Sequence, residues 1–573
     1  MPNSKVLLCI PPDYDRYFPP LGTAALCGFL KARGIAVTQV DLNLGYRDFL
    51  AGRIQGVPGG LTEKRLLLKH ILKKFFSENL KGRYYSSLLL RGGSASFADL
   101  PYDNNTNSSF HFTERLLSSL HLWLYLEDGG ENTFLQFYQD EGILSFLNKE
   151  EIGLLGISII SPSQAIAGLT LGLFVKKNLP NIHVNIGGQW PTLFRRSLQE
   201  NKGLFKCFDS MTVFEGETPL FCLSEALTAK RDISKIPNVI TKNSGPEAII
   251  DHRGEDMDLL PAPDFGGLPL GLYDESRDES ISLTFETSRG CYWSKCAYCV
   301  DLPLPKPAYR RKDARLVVRD IKMLQEKYQA KMLLLGDPGM SPRQMLEVSR
   351  ELLNSKVDIA WWVMARLDPG FTPEIFRFAH RAGLKKINFG FESGSDAICD
   401  LLGKGNRRER SGRVIKDCAQ AGIEVDLQTI LGLPRETFEH SLETIDFLIR
   451  NKEYITAVTF NIFYLTPENY VYRDPQKYGI AYNKNDELPF RFFIPFDNPQ
   501  GMSRDEAHLA QHIYYSLRGK VQNKGPAAVL AQSTPAPGPF VSQEAAQINL
   551  CGESTSLRYF YDKENDTYLF PDD

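Results

Sequence analysis

Thr287-Ser-Arg-Gly-Cys-Tyr-Trp-Ser-Lys-Cys-Ala-Tyr-Cys299 gathers three of the ten cysteines of the chain into one short stretch. Four residues separate Cys291 from Cys296, and two separate Cys296 from Cys299. No fourth Cys or His lies within thirty residues on either side. A structural zinc site normally has four protein ligands, whereas three thiolates on a cubane iron–sulfur cluster leave one iron without a protein ligand. The trio therefore predicts a reactive cluster; a zinc site with a distant fourth ligand is the alternative.

Composition sets the broad class of the protein. The chain has 573 residues, of which 43% are hydrophobic and 24% are charged, as in ordinary globular proteins. A net charge of -3 gives no electrostatic basis for binding nucleic acid. No apolar run is long enough for a membrane span, and no signal-peptide pattern is present. We therefore expect no membrane partner and, with a cluster that oxidants would destroy, a cytoplasmic location.

The N-terminal part, residues 1–245, alternates strands with helices. This pattern predicts a doubly wound, Rossmann-like α/β domain. Residues 5–10 and 153–160 are apolar runs typical of strands buried on both faces of a parallel sheet. Ligands of such sheets bind beyond the carboxyl ends of the strands. An insertion of mostly helical character, about residues 45–150, interrupts the pattern.

Three further segments follow. Residues 246–280 are acidic and rich in Pro and Gly, which predicts a linker. Residues 281–485 fit about six βα units, fewer than the eight of a closed barrel. Residues 486–573 form a C-terminal accessory α+β region, with a helix at about 503–518 and a hairpin at 559–570.

The cysteine stretch and four later segments resemble the radical S-adenosylmethionine (SAM) superfamily. The later segments have the order and spacing of strand ends in that barrel: Leu333–Asp337, Val363–Asp368, Ile387–Gly394 and Ile430–Glu436. The usual cysteine spacing of that superfamily is three residues and then two. The resemblance implies a 4Fe–4S cluster bound by Cys291, Cys296 and Cys299, with SAM on the open iron. Reduction of the cluster would then cleave SAM to a 5′-deoxyadenosyl radical.

The same resemblance implies roles for residues around the cluster. Tyr298 matches the aromatic residue near adenine, and Arg366 faces the barrel mouth. The remaining candidates for SAM binding are Gly336 and Asp337 at its amino end, Glu392 at its ribose or amino-acid part, and Ile430 to Pro434, including Gly432, beside adenine.

Each assignment has a structural alternative. Asp337 would also suit a helix N-cap, and Glu392 a salt bridge at a strand end. Gly432 would suit a strand-to-helix turn. Tyr298 and Trp293 would serve as packing residues of the cysteine loop.

The N-terminal part resembles the cobalamin-binding domain that precedes such barrels in one large subgroup. The positions that line the corrin and its nucleotide tail in that subgroup correspond to Ser158, Ser161, Gln164, Gly187, Gly188 and Glu217. No Asp-x-His occurs in the chain, so no histidine is predicted beneath the cobalt. The alternative is an α/β domain that binds no cofactor.

These resemblances imply a cobalamin-dependent radical SAM enzyme, most simply a C-methyltransferase acting on a peptide or natural-product intermediate. Its electron donor would be a protein of the flavodoxin or ferredoxin type. A radical SAM cyclase, oxidase or rearranging enzyme is the second reading, and a non-catalytic cluster protein for binding or redox sensing is the third. Methylthio transfer is disfavoured, because no N-terminal cysteine trio provides a second cluster site.

Overall fold

Two six-stranded sheets organise the chain, as seen in a computed structural model. The structure describes residues 5–14, 17–55, 116–117, 122–127, 132–245, 250–251, 253–273, 281–299, 308–467, 469–483, 489–521, 543–550, 553–562 and 567–569. Most of the predicted insertion, from residue 56 to residue 115, lies outside these ranges.

The first sheet has the strand order β2-β1-β3-β4-β5-β6. Its strands are β1 (Lys5–Ile10), β2 (Val37–Asp41), β3 (Ile152–Ser158), β4 (His183–Gly187), β5 (Ser210–Thr212) and β6 (Val239–Thr241). The first five are parallel, and β6 pairs antiparallel with β5. The strand order reverses between β1 and β3, where open α/β sheets bind their ligands.

Helices cover both faces of this sheet. They span Leu21–Lys31, Leu42–Gln55, Leu122–Glu127, Thr133–Asp140, Ile143–Lys149, Ala165–Asn178, Gln189–Leu193, Arg195–Glu200 and Glu217–Thr228. Short 3-10 turns lie at Pro162–Gln164 and Lys202–Lys206. The apolar strand runs are buried, as continuous hydrophobic strands under two helical layers should be.

The second sheet is entirely parallel and has the order β14-β13-β12-β11-β10-β7. Its strands are β7 (Ile281–Phe285), β10 (Ala330–Leu335), β11 (Ala360–Arg366), β12 (Leu384–Glu392), β13 (Glu424–Leu431) and β14 (Ala457–Ile462). A small antiparallel pair, β8 (Ser288–Arg289) and β9 (Arg310–Arg311), flanks β7. The alternating helices are Ala314–Tyr328, Pro342–Asn354, Pro373–Arg381, Asp396–Leu401, Arg408–Gln420 and Phe438–Arg450.

Strand alternation separates the core of this half from its inner face. On β11, Trp361, Val363 and Ala365 are buried among the hydrophobic side chains of the main core. Trp362 and Arg366 belong to the alternate set, which points to the other side of the sheet. That inner face is the lumen of a partial barrel with six strands.

The described part of the predicted linker is packed against both halves. Asp264 donates its backbone N–H to Ala24 O over 2.8 Å, and its carboxylate accepts hydrogen bonds from Lys31, Lys327 and Tyr328. These three partners lie on helices of the two different sheets. Gly28 permits the contact, because a Cβ at that position would lie 2.5 Å from Ala262 O.

Short helices Tyr470–Arg473 and Pro475–Tyr478 follow β14, and the C-terminal region then contains helix Arg504–Val521. Strands β15 (Gln543–Leu550), β16 (Glu553–Asp562) and β17 (Thr567–Leu569) form an antiparallel sheet in which Asp562 pairs with Thr567, at the predicted hairpin. Among the described helices, none combines the length and hydropathy needed to span a bilayer.

The predicted fold class is confirmed: a Rossmann-like α/β domain precedes a six-stranded partial barrel and a small C-terminal α+β region. The domain boundaries proposed from the sequence stay predictions. Outside the trio, the thiols of Cys9, Cys27 and Cys207 are buried and that of Cys222 is half-buried.

Candidate functional site

The cysteine loop follows β7 and β8 at the carboxyl end of the partial barrel. Cys291, Cys296 and Cys299 are half-buried there. The loop is anchored in its middle, where Ala297 N donates to Leu402 O over 2.8 Å and Ala297 O accepts from Tyr470 N over 3.0 Å. The backbone between the second and third cysteines is therefore fixed from two sides.

Residues 402–406, which we call the clamp loop, cover the cysteine loop. Trp293 Nε1 donates to Gly403 O over 2.7 Å. A Cβ on Gly403, whose φ is 67°, would lie 2.6 Å from Lys295 O. The close approach of two backbones requires glycine at this position. Packing is thus confirmed for Trp293.

Arg366 lies at the barrel mouth, as predicted. Its guanidinium carbon is 3.8 Å from the centre of the Trp293 ring, and its Nη2 donates to Lys404 O over 2.6 Å. Only 6% of Arg366 is exposed, and its Nε is buried with no partner in the described structure. Arg366 therefore joins the cysteine loop to the clamp loop.

Tyr298 lies between the cysteines and the residues predicted to flank adenine. Tyr298 and Ile430 both pack against an apolar cluster that contains Ala297 and Leu433. Burial, followed by the charge of Glu392, holds the pKa of the Tyr298 hydroxyl well above the usual value. Tyr298 and Ile430 therefore border the same apolar cluster.

Glu392 ends β12 beside this group. Its φ of 67° is a left-handed conformation that a non-glycine residue seldom adopts. Its carboxylate accepts a bond of 2.9 Å from Lys404 Nζ, so the salt-bridge alternative is confirmed. Strained backbone of this kind is concentrated at functional sites.

Asp337 bonds to the start of the cysteine stretch. It is fully buried, and its carboxylate accepts from Thr287 N (2.7 Å), Ser288 N (2.9 Å) and the Thr287 hydroxyl. Burial raises the pKa of this carboxyl to about 6, although these hydrogen bonds oppose the rise. Asp337 thus anchors the start of the cysteine stretch.

The helix N-cap expected at Asp337 is wrong. The helix begins at Pro342, and Ser341 caps it by accepting from Gln344 N. Gly336 extends the pairing of β10 with β7, because its N–H donates to Phe285 O over 2.8 Å. Contact of either residue with SAM stays a prediction.

Gly432 forms the predicted turn, with a φ of 73°. The turn is held by Glu436, a fully buried acid that accepts from Leu433 N over 3.1 Å and from Ser393 Oγ over 3.3 Å. Burial raises the pKa of Glu436 to about 8. Glu436 therefore connects the ends of β12 and β13.

The cofactor candidates of the first sheet lie along its carboxyl edge. Ser161 caps the turn Pro162–Gln164 in a capping box with Gln164. Gln164 is fully buried and donates to Pro11 O over 2.8 Å, while Ser163 Oγ donates to Asp13 O over 2.7 Å. These bonds join the loops after β1 and β3 at the reversal of strand order.

The remaining candidates occupy the ends of β3, β4 and β5. Ser158 and Gly187 are the last residues of β3 and β4. Gly188 has a φ of 104°, and a Cβ there would lie 2.5 Å from Ile159 O. Glu217 begins the helix after β5 and is only 4% exposed. Contact of these residues with a corrin stays a prediction.

Arg289 connects this edge to the cysteine loop. It donates to Glu217 over 2.6 Å, to Glu215 over 3.0 Å and to Glu286 over 3.0 Å. Burial raises the pKa of Glu286 despite the nearby Arg289. A second contact joins the halves, since the rings of Phe18 and Trp362 are 6.0 Å apart between centres. The edge of the first sheet therefore adjoins the barrel mouth.

The described residues contain no group of three or more His, Cys, Asp or Glu side chains placed to hold a single metal ion. A cubane cluster takes one thiolate at each of three irons, so its ligands are more widely spaced than those of one ion. Three thiols on one anchored loop are the type and number of ligand that such a cluster takes.

Comparison with known proteins identifies the second half. Residues 285–448 match the profile of the Radical SAM superfamily. The barrel is a radical SAM domain. The predicted superfamily and the expectation of an enzyme are thereby confirmed. The alternative of a non-catalytic cluster protein is wrong.

Two curated relatives share sequence with this chain. An uncharacterized methyltransferase of Pyrococcus horikoshii is 24% identical over 313 residues, which are 53% of this chain and 66% of the relative. The anaerobic magnesium-protoporphyrin IX monomethyl ester cyclase of Rubrivivax gelatinosus is 26% identical over 193 residues, or 33% of this chain and 34% of the cyclase. The chain thus spans less than two thirds of the length of either relative.

A solved structure covers nearly the whole chain. The radical S-adenosylmethionine methyltransferase TsrM from Kitasatospora setae, with cobalamin and a 4Fe–4S cluster bound, aligns with 90% of this chain and 91% of its own. The TM-score is 0.57 at 14% sequence identity. This similarity shows a shared fold for both halves of the chain.

Sequence reasoning missed four residues of the site: Arg289, Lys404, Glu286 and Glu436. One local signal pointed to Lys404, because glycines with positive φ, Gly403 and Gly405, flank it directly. Arg289 is recognised through Glu217, which is distant in sequence, whereas Glu286 and Glu436 also bond to residues three positions away, Arg289 and Leu433.

Proposed function

We propose that the chain is a cobalamin-dependent radical SAM enzyme that methylates a carbon atom of a peptide or natural-product intermediate. The observation that carries this proposal is the junction of the two halves. Arg289, two residues before the first cysteine, bonds to Glu217 at the carboxyl edge of the Rossmann-like sheet. A cofactor in the crevice of that sheet would therefore adjoin a cluster on the cysteine loop.

The residues fit a cluster and SAM. Cys291, Cys296 and Cys299 would each bind one iron, and the remaining iron would be open to SAM. Tyr298, Ile430 and the turn at Gly432 would form an apolar wall for adenine. A reduced cluster supplies one-electron cleavage of SAM, while the protein orients the cofactors and excludes water.

The residues also fit a corrinoid at the first sheet. The loops after β1 and β3 are joined where doubly wound sheets bind ligands. Ser158, Ser161 and the Gly187–Gly188 pair would lie beneath such a group. Bound cobalamin would serve as methyl carrier.

A second candidate is a radical SAM enzyme that cyclises, oxidises or rearranges its substrate without methyl transfer. The similarity to a cyclase supports it. Both candidates would take their electron from a flavodoxin or ferredoxin type of donor and would act on a small molecule or peptide.

Anaerobic reconstitution with iron, sulfide and hydroxocobalamin tests the proposal. We expect about four irons per chain and cobalamin absorption that persists after desalting. Reduction with SAM should then give 5′-deoxyadenosine together with S-adenosylhomocysteine, the by-product of methyl transfer. 5′-Deoxyadenosine alone, with a cyclised or oxidised product, would favour the second candidate. A single zinc ion, or no SAM cleavage, would overturn both.

A further inference from the structure

Lys404 is a buried cation beside the cysteine loop. Only 5% of the residue is exposed, and its Nζ lies 2.9 Å from Glu392 Oε1. Gly390 makes room for it, because a Cβ there would lie 2.7 Å from Lys404 Nζ. A buried ammonium is costly unless it is paired with negative charge, so its position requires an explanation.

The clamp loop fixes this position. Gly403 and Gly405 have φ values of 67° and 73°, and Lys404 N donates to Cys399 O over 2.8 Å. Lys404 O accepts from Arg366 Nη2 over 2.6 Å. The backbone is therefore bonded on both sides, and the ammonium has little freedom to move away.

Other charged groups besides Glu392 act on Lys404. Burial alone would lower the pKa of its ammonium, but Glu392 and then Cys296 raise it above the usual value. Arg366 adds a second buried cation, with Asp368 at 3.5 Å as its acidic neighbour. Two buried cations thus lie beside a loop that would carry three thiolates.

We propose that the Lys404 ammonium stabilises the reduced state of the cluster bound by Cys291, Cys296 and Cys299, with Glu392 opposing it. This inference rests on the proposed function. Reduction adds one electron from an external reductant to the cluster and raises its negative charge by one. A fixed positive charge nearby favours that state, and nearby charge is one of the factors that set cluster potentials. Lys404 is therefore a residue that tunes the site rather than one that reacts.

The test is a potentiometric titration of the reconstituted full-length protein without SAM, monitored by electron paramagnetic resonance of the reduced cluster. Lys404→Met removes the positive charge and should disfavour reduction about tenfold, a shift of about 59 mV to more negative potential for one electron. Glu392→Gln removes the opposing charge and should move the midpoint to more positive potential.

Lys386→Met is the matched control. Lys386 lies on the same strand, six residues before Glu392, and is 3.5 Å from Asp426. A rise of about 3.3 Å per residue places Lys386 about 20 Å from the cysteine end of β12. The reduction midpoint of the cluster in Lys386→Met should therefore equal that in the unmodified protein.

The outcomes separate this inference from the proposed function. Iron and sulfide contents report whether the cluster assembles; an unmodified protein without a cluster would overturn both. A cluster whose midpoint is unchanged in both variants, or shifts in the same direction in both, would overturn the role of Lys404 alone. If Lys404→Met does not hold a cluster, Glu392→Gln decides: a positive shift supports the role, and an unchanged midpoint overturns it.

Discussion

Arg289 donates a hydrogen bond of 2.6 Å to Glu217, joining the stretch before the first cysteine to the first helical residue after β5. Both side chains are shielded from water, with exposures of 16% and 5%. Breaking such a pair leaves an uncompensated buried charge. We expect Arg289→Ala to lower the free energy of unfolding by about 3 kcal/mol, measured by urea denaturation of the full chain.

Arg253→Ala provides the comparison for this prediction. Like Arg289, Arg253 bonds to a carboxylate, here that of Asp251, but the Arg253 side chain is 89% exposed. Exposed pairs contribute little to stability, so no measurable change is expected. Equal effects of the two substitutions would show that the Arg289 bridge does not stabilise the protein.

Replacing any one cysteine of the trio should abolish the cluster. Cys291→Ser, Cys296→Ser and Cys299→Ser each remove one thiolate, and iron content and SAM cleavage should fall together. Cys399→Ser is the control, because Cys399 is only 3% exposed and burial raises the pKa of its thiol to about 12. Its iron content should not change. A trio variant that retains the cluster would contradict the assignment.

Gly188→Ala should damage the carboxyl edge of the first sheet. The new Cβ would lie 2.5 Å from Ile159 O at a φ of 104°, and backbone strain of this kind costs about 2 kcal/mol. Retention of cobalamin after desalting should fall as well. At Gly187 the nearest atom to a Cβ is Thr212 O at 3.6 Å, so Gly187→Ala should be tolerated. Identical behaviour of the two variants would refute this role for Gly188.

Glu436 should make stability depend on pH. Burial raises its pKa from 4.5 to about 8, so the folded state favours the protonated acid. The contribution of protonated Glu436 to the free energy of unfolding is complete below pH 4.5 and is lost as the pH rises toward about 8. Glu436→Gln mimics the neutral acid, and its amide can bond to both Leu433 N and Ser393 Oγ.

Urea denaturation between about pH 5 and about pH 9 measures the effect. The unmodified protein should lose a few kcal/mol across this range relative to Glu436→Gln. Glu439→Gln, on the exposed side of the following helix, should follow the unmodified protein. Parallel stability curves for the unmodified protein and Glu436→Gln would show that Glu436 is already ionised when folded.

Much of the fold could be predicted because its signals are local. The apolar run Lys5–Ile10 and the segment Ile152–Ser158 form the buried strands expected of a parallel sheet. The cysteine spacing and the later strand ends indicated the second half. Bounds shifted by a few residues, as for the C-terminal helix expected at about 503–518, which spans Arg504–Val521.

The rest depends on contacts between distant residues. Asp337 bonds to Thr287 fifty positions away, and Trp293 reaches Gly403 across more than a hundred. No periodicity or motif encodes which loops approach each other. Composition alone predicts a linker before β7. In the structure Asp264 of this segment bonds to Lys31 of the first half and to Lys327 of the second.

The packing of Asp264 bears on how the chain folds during synthesis. The side chain of Gln39 donates to Asp264 O over 2.6 Å and to Gly266 O over 3.1 Å, and Ala24 O accepts from Asp264 N. When residue 245 leaves the ribosome, Asp264 and Gly266 have not yet been made. The Gln39 amide and the Ala24 carbonyl of the first half then lack these partners, so the first half should reach its full stability only after some twenty more residues have emerged.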